Sequence, residues 1–69
     1  MYSDKAFEEY LTKRGVKVKI VAEAMGISVS ALYRKRKGMS DFTLGEIRKC
    51  CEFFGVKNMN DVFFADEVA

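Results

Sequence analysis

Apolar residues recur along this chain with the spacing of helices, and glycines cut the pattern into short blocks. Phe7, Tyr10 and Leu11 stand at i, i+3 and i+4, one face of a helix, behind Ser3 as a candidate N-cap. That block runs to about Arg14 and ends at Gly15, with Lys13 and Arg14 where positive charge suits the helix dipole. The block Val16 to Met25 is mixed. Val16, Val18 and Ile20 alternate with Lys17 and Lys19 as in a strand, while Val21, Ala22, Ala24 and Met25 extend the apolar set at helical spacing. A helix is expected, weakest in its β-branched first turn. After Gly26 and Ile27, Ser28 is the candidate N-cap of a short helix from Val29 to Lys37, stopped by Gly38. The clearest start is Thr43-Leu44-Gly45-Glu46, a capping box with Phe42 and Ile47 placed as a hydrophobic staple. Leu44, Ile47, Cys50, Cys51 and Phe54 then mark one face up to Gly55, and a last turn or helix after Asn58 or Asn60 carries Met59, Val62 and Phe63. The expected fold class is all-α, a compact bundle of five short helices.

Length and composition narrow the function. The chain has 69 residues with no proline, tryptophan or histidine, enough for a single domain, 1–69. A chain of this size buries roughly 60% of its unfolded surface, so the core is thin. Hydrophobic residues at 49% and charged residues at 32% argue against disorder. No apolar run approaches the ~20 residues of a membrane span, and no signal-peptide pattern opens the chain, so a soluble, cytoplasmic protein is expected. Two adjacent cysteines, Cys50 and Cys51, make neither a disulfide framework nor, without histidine, a zinc ligand set. Histidine-based catalysis is excluded, and no phosphate-loop or dinucleotide glycine pattern is present. The expectation is a binding protein without metal or cofactor, not an enzyme.

Charge gives the binding a direction. Residues 13–37 hold eight basic side chains, Lys13, Arg14, Lys17, Lys19, Arg34, Lys35, Arg36 and Lys37, against Glu23 alone. Acids outnumber bases on both sides of that segment. A basic centre between acidic flanks suits a polyanion, most simply nucleic acid.

The segment 18–38 joins these strands of argument. If two helices meet at Gly26, that glycine supplies a positive φ, Ile27 plugs the interior, and Ala22 lets the second helix approach closely. Leu32 then anchors the second helix inward, over Val21 and Met25. Those are the mechanical requirements of a helix-turn-helix, here about residues 17–37, whose second helix enters a DNA major groove. At ~100° per residue, Ser30, Tyr33, Arg34 and Lys37 point outward together with Val29 at the edge, and that face carries no acid. Arginine can pair with guanine O6/N7, serine with several bases, and tyrosine with a phosphate or thymine methyl. Lys17 and Lys19 fall over the phosphate backbone.

At these residues the sequence resembles the lambda-repressor/Cro-like, or Xre, helix-turn-helix family over nearly its whole length. Ala22, Gly26, Ile27 and Leu32 occupy the family's small, glycine and two hydrophobic positions. The stretch from Asp41 to Val56 is similar to its fourth helix, and the ending from Asp61 to Ala69 to the tails of small Cro-like regulators of Gram-positive phages and prophages. The resemblance implies a cytoplasmic, nucleoid-associated transcriptional regulator, usually a homodimer on a pseudo-palindromic double-stranded operator. It assigns base reading to Val29, Ser30, Tyr33 and Arg34, and phosphate contact to Lys19 and Lys37; Lys17 and Ser28, at the starts of the two helices, complete the candidates for phosphate contact. This chain departs from the family where Lys17-Val18 replaces the usual Gln or Thr at the start of the second helix. It departs again at Lys35, a commonly apolar position, so the Lys35 stem must lie along the core with its amine reaching solvent.

The remaining residues bear on assembly. One of Phe63 and Phe64 is expected in the core, because a core this thin does not readily hide two neighbouring aromatics of ~150–250 Å² each. Val62, Phe63, Phe64 and Val68 are therefore candidates for a dimer or partner contact, with the tail 64–69 as the segment that carries it. Met25, Met39 and Met59 read as core or joint fillers. Cys50 and Cys51 read as small apolar residues that cannot both face fully inward, the outer one being open to a redox role. A competing reading keeps the helix-turn-helix as scaffold and makes the protein an antirepressor or modulator that binds another regulator.

Overall fold

Among the described residues five helices follow one another in the order the sequence predicts: α1 (Asp4–Arg14), α2 (Val18–Met25), α3 (Val29–Arg36), α4 (Leu44–Phe54) and α5 (Asn60–Phe63). The structure, a computed structural model, describes residues 2–64. Ser3 caps α1 by accepting from the Ala6 amide at 3.2 Å, and Ser28 caps α3 by accepting from the Ala31 amide at 3.0 Å. The Thr43–Glu46 capping box of α4 is complete, with reciprocal bonds of 3.1 and 2.9 Å.

The start of α2 lies two residues later than the apolar pattern suggests. Val16 is recruited by the previous helix: its amide donates to the Leu11 carbonyl at 3.0 Å, closing α1 behind Gly15. Lys17 then stands at the N-cap of α2 with no side-chain cap bond, which leaves this helix start the least supported of the four longer ones. The same closure repeats at Gly26. With φ at +76° it takes the left-handed conformation, and the following Ile27 amide donates to the Ala22 carbonyl at 3.0 Å. α3 ends one residue earlier than expected, with Lys37 as its C-cap.

The core consists of Phe7, Leu11, Val21, Ala22, Met25, Leu32, Ile47, Cys50, Cys51, Val62 and Phe63. α2 packs on α4 and on α3, and α1 packs on α5. Rings of Tyr2, Phe42 and Phe63 meet at centroid distances of 5.0–6.4 Å beside Phe7. The two ends of the described segment are tied together, with the Ser3 amide donating to the Phe63 carbonyl at 2.8 Å beside an antiparallel bridge between Tyr2 and Phe64.

Several expectations need correction. Val62 and Phe63 are fully buried, so neither is available for a dimer or partner contact. The fully buried rings of Phe7 and Phe63 share the core with half-buried Tyr2 and Phe42, which is how so small a domain encloses an aromatic from its last helix. Phe64 is only half-buried, and Val68 lies outside the described residues. Met39 is 71% exposed and fills no joint, because the loop after α3 turns it away from the core. Leu44, in the first turn of α4, is exposed rather than on the inner face. Cys50 and Cys51 are both buried. Burial pushes the Cys50 thiol up to about 12 and also raises that of Cys51, so neither is poised as a reactive thiolate.

Candidate nucleic-acid interface

α3 sorts its residues into pairs. Ala31, Leu32, Lys35 and Arg36 turn inward to varying depth, while Val29, Ser30, Tyr33, Arg34 and Lys37 are exposed. This alternation of two in and two out is what ~100° per residue produces on a helix lying against a core. Leu32 is fully buried and is the anchor; Val29 and Tyr33 are about half exposed. The outward face assembles the four residues assigned to base reading on one side of one helix, with no acid among them. With its side chains a helix is about 10–12 Å across, which the ~12 Å width of a DNA major groove admits. The Lys37 ammonium sits 5.3 Å from the Tyr33 ring centroid, a cation–π contact that keeps charge beside the phenol.

The residues assigned to phosphate contact stand at or beside helix ends. Lys17 precedes α2 and Lys19 lies in its first turn, both exposed. Ser28 precedes α3, and its hydroxyl oxygen is engaged as the cap of that helix. Lys37 follows α3 directly.

The inward pair Lys35 and Arg36 behaves differently. Lys35 reaches across to the start of α4, 3.1 Å from Glu46 Oε1 and donating to the Asp41 carbonyl at 2.9 Å. Its side chain runs along the core edge as the departure from the family pattern requires. Burial disfavours the Glu46 charge, yet the Thr43 amide and Lys35 together hold its carboxyl below the usual range. Arg36 reaches the other way, to α1. Its Nε donates to Asp4 Oδ1 at 2.7 Å and its Nη2 to Asp4 Oδ2 at 3.1 Å, with a further bond to Glu8 Oε2 at 3.0 Å. The Tyr2 hydroxyl completes the group by donating to Asp4 Oδ1 at 2.7 Å, and the guanidinium lies 5.5 Å from the Phe7 ring centroid. Hydrogen bonding from Arg36 holds the Asp4 carboxyl below its usual range and raises the Arg36 guanidinium in turn. Burial first, then the hydrogen bond to Asp4 and after it the Asp4 charge, push the Tyr2 phenol well above its ordinary value.

Of the consecutive cations 34–37, two are therefore neutralised inside the molecule and two, Arg34 and Lys37, face solvent with no carboxylate partner among the described residues. The Arg36 network is the feature that the sequence reading missed. Its signal was available: Arg36 stands four residues after Leu32, on the same stripe, and Asp4 and Glu8 stand four apart on one face of α1. Among the described residues no group of His, Cys, Asp and Glu could hold a metal ion. None of their helices is long and apolar enough to cross a membrane.

A family model for the Cro/C1-type HTH DNA-binding domain matches residues 7–63, most of the chain and all of the helix-turn-helix. No curated protein and no solved structure gives a significant match.

Proposed function

This chain belongs to the Cro/C1-type helix-turn-helix DNA-binding family, and from that premise we propose a sequence-specific transcriptional regulator of phage or prophage Cro or repressor type. It acts in the cytoplasm on double-stranded DNA, with residues 1–69 as a single DNA-binding domain. The observation that carries the reading is the acid-free outward face of α3, anchored from behind by Leu32. α3 lies in the operator major groove. Arg34 pairs with a guanine edge, Ser30 hydrogen-bonds a neighbouring base, and Val29 and Tyr33 pack on thymine methyl groups. Lys17, Lys19 and Lys37 contact phosphates, and Ser28 adds a hydroxyl at the backbone. One module of this size covers about 600–1,000 Å² of its own surface on DNA, so a pair of copies on a pseudo-palindromic site supplies the affinity. Phe64 and the tail that follows it are the remaining candidates for contact between the copies.

Selection of binding sites from a random duplex pool tests this directly. A two-fold symmetric consensus, with affinity falling steeply between about 50 and 200 mM salt, is the expected result. Absence of duplex binding at low salt overturns it and leaves the antirepressor reading, in which the partner is another regulator.

A further inference from the structure

The reading helix is held by little apolar contact. Leu32 is the one fully buried side chain of α3, and a single anchor fixes the depth of a helix better than its rotation. Rotation is what matters for reading, because ~100° separates neighbouring side chains. Two ionic contacts leave the inner stripe in diverging directions, Lys35 toward α4 and Arg36 toward α1. The second is the stronger device: a guanidinium engaged through both Nε and Nη2 on one carboxylate fixes an angle as well as a distance. Arg36 is also only 17% exposed at its side chain and stands in the turn after Tyr33 and Arg34.

We propose that Asp4 and Glu8 make Arg36 a positioning residue, a strut from α1 that sets the angle at which α3 presents Tyr33 and Arg34 to DNA. This rests on the DNA-reading function proposed above. It has a counterintuitive consequence. Acids near a DNA-binding face ordinarily repel the duplex, and neutralising them tightens binding to any sequence. Here neutralising Asp4 weakens binding to the selected site, because the freed α3 no longer holds its angle. Arg36 itself, turned inward, makes no phosphate contact.

The experiment compares the full chain with Asp4→Asn, Glu8→Gln, Arg36→Gln and Arg36→Lys, on the selected duplex and on a scrambled one, across a salt series. Asn at position 4 keeps an acceptor for the Tyr2 hydroxyl while removing the charge. Glu8→Gln leaves the capped first turn of α1 untouched and serves if Asp4→Asn melts too low. Asp4→Asn and Arg36→Gln are expected to lose about two- to fivefold in affinity for the selected duplex, as breaking one partly shielded pair permits. Binding to the scrambled duplex is unchanged or slightly tighter for Asp4→Asn. Arg36→Lys, which keeps one ionic contact, recovers part of the loss. In the free protein, amide exchange of residues 33–37 quickens in Asp4→Asn more than that of α4. Equal or tighter binding of Asp4→Asn on the selected duplex overturns the proposal. So does a salt slope lowered by about 0.9 in Arg36→Gln, the mark of a lost phosphate contact. If the unaltered chain binds no duplex, the DNA reading fails on its own and amide exchange decides the strut: uniform quickening, or none, in α3 and α4 removes it.

Discussion

Replacing Arg34 by alanine separates base reading from phosphate contact, because the structure fixes what else the change touches. Arg34 is exposed, its side chain has no carboxylate partner among the described residues, and its neighbours Tyr33 and Lys37 keep their own contact. Stability should therefore shift by less than about 0.5 kcal/mol, as for ordinary surface substitutions. A bidentate arginine–guanine pair is worth about 1–3 kcal/mol of discrimination, which converts to roughly 5- to 150-fold in Kd. The assay is fluorescence anisotropy on the selected and a scrambled duplex, each followed across salt. Arg34→Ala should lose that factor on the selected site alone, with the salt slope on the scrambled duplex unchanged. Arg34→Lys should bind the scrambled duplex like the parent yet fail to recover the selected site, since an ammonium lacks the planar fork. Equal losses on both duplexes, with the slope falling by about 0.9, refute the reasoning and make Arg34 a phosphate contact.

Leu32→Ala empties the anchor of α3 and should cost about 2.7–5.0 kcal/mol by denaturant titration, much of the roughly 3–10 kcal/mol expected of a domain this size; a loss below about 1 kcal/mol contradicts the packing described. Gly26→Ala has room, its added Cβ lying 3.7 Å from Lys49 Nζ, but it forces a side chain into left-handed backbone at about 1–2 kcal/mol, and an unchanged Tm refutes that. With its thiol raised from 9.0 to about 12, Cys50 should resist aromatic disulfide reagents until the chain unfolds. Its share of stability is intact below pH 9 and is lost as pH rises toward 12, a decline that Cys50→Ala should reduce. Asp4, held below its ordinary 3.8 by Arg36, stabilises the fold above that pH and ceases to as pH falls through its lowered value; Asp4→Asn should flatten the acid limb of the stability curve.

Local chemistry made most of the fold legible. Ser3, Ser28 and Thr43 are caps whose bonds span three residues, and the glycines at 15, 26 and 55 close helices through bonds that span three to five. A sequence reports interactions of that range faithfully. The assignment of Leu32 inward and Tyr33 and Arg34 outward also follows from helical geometry once Gly26 fixes the turn. What was not legible depended on contacts across the chain. Phe63 reads as a candidate surface aromatic because the sequence does not show that Tyr2, Phe7 and Phe42 gather around it from positions 21–61 residues away. Met39 reads as interior by its apolar type and Leu44 by its helical spacing from Ile47 and Cys51, while Met39 stands exposed in the loop after α3 and Leu44 exposed in the first turn of α4.

The same distinction explains why the charge pattern was read correctly in sum and incompletely in detail. Counting eight cations between residues 13 and 37 treats them as one field, but a helix that must display a reading face has only its opposite face left for attachment. On α3 that opposite face is Ala31, Leu32, Lys35 and Arg36, of which Leu32 alone is fully buried. The acids that complete the attachment come from α1 and α4, Asp4 and Glu8 on one side and Glu46 on the other. The acidic flanks are therefore not merely the complement of a basic centre. Three of their carboxylates withdraw Lys35 and Arg36 from the field, and the cations left facing outward from α3 are the two, Arg34 and Lys37, that stand with Ser30 and Tyr33. An unpaired inner stripe would leave four consecutive cations competing for phosphate, which favours tight binding without discrimination. On the proposed DNA-reading function, pairing two of them would exchange some general affinity for a fixed angle, the condition under which the remaining arginine could tell one base from another.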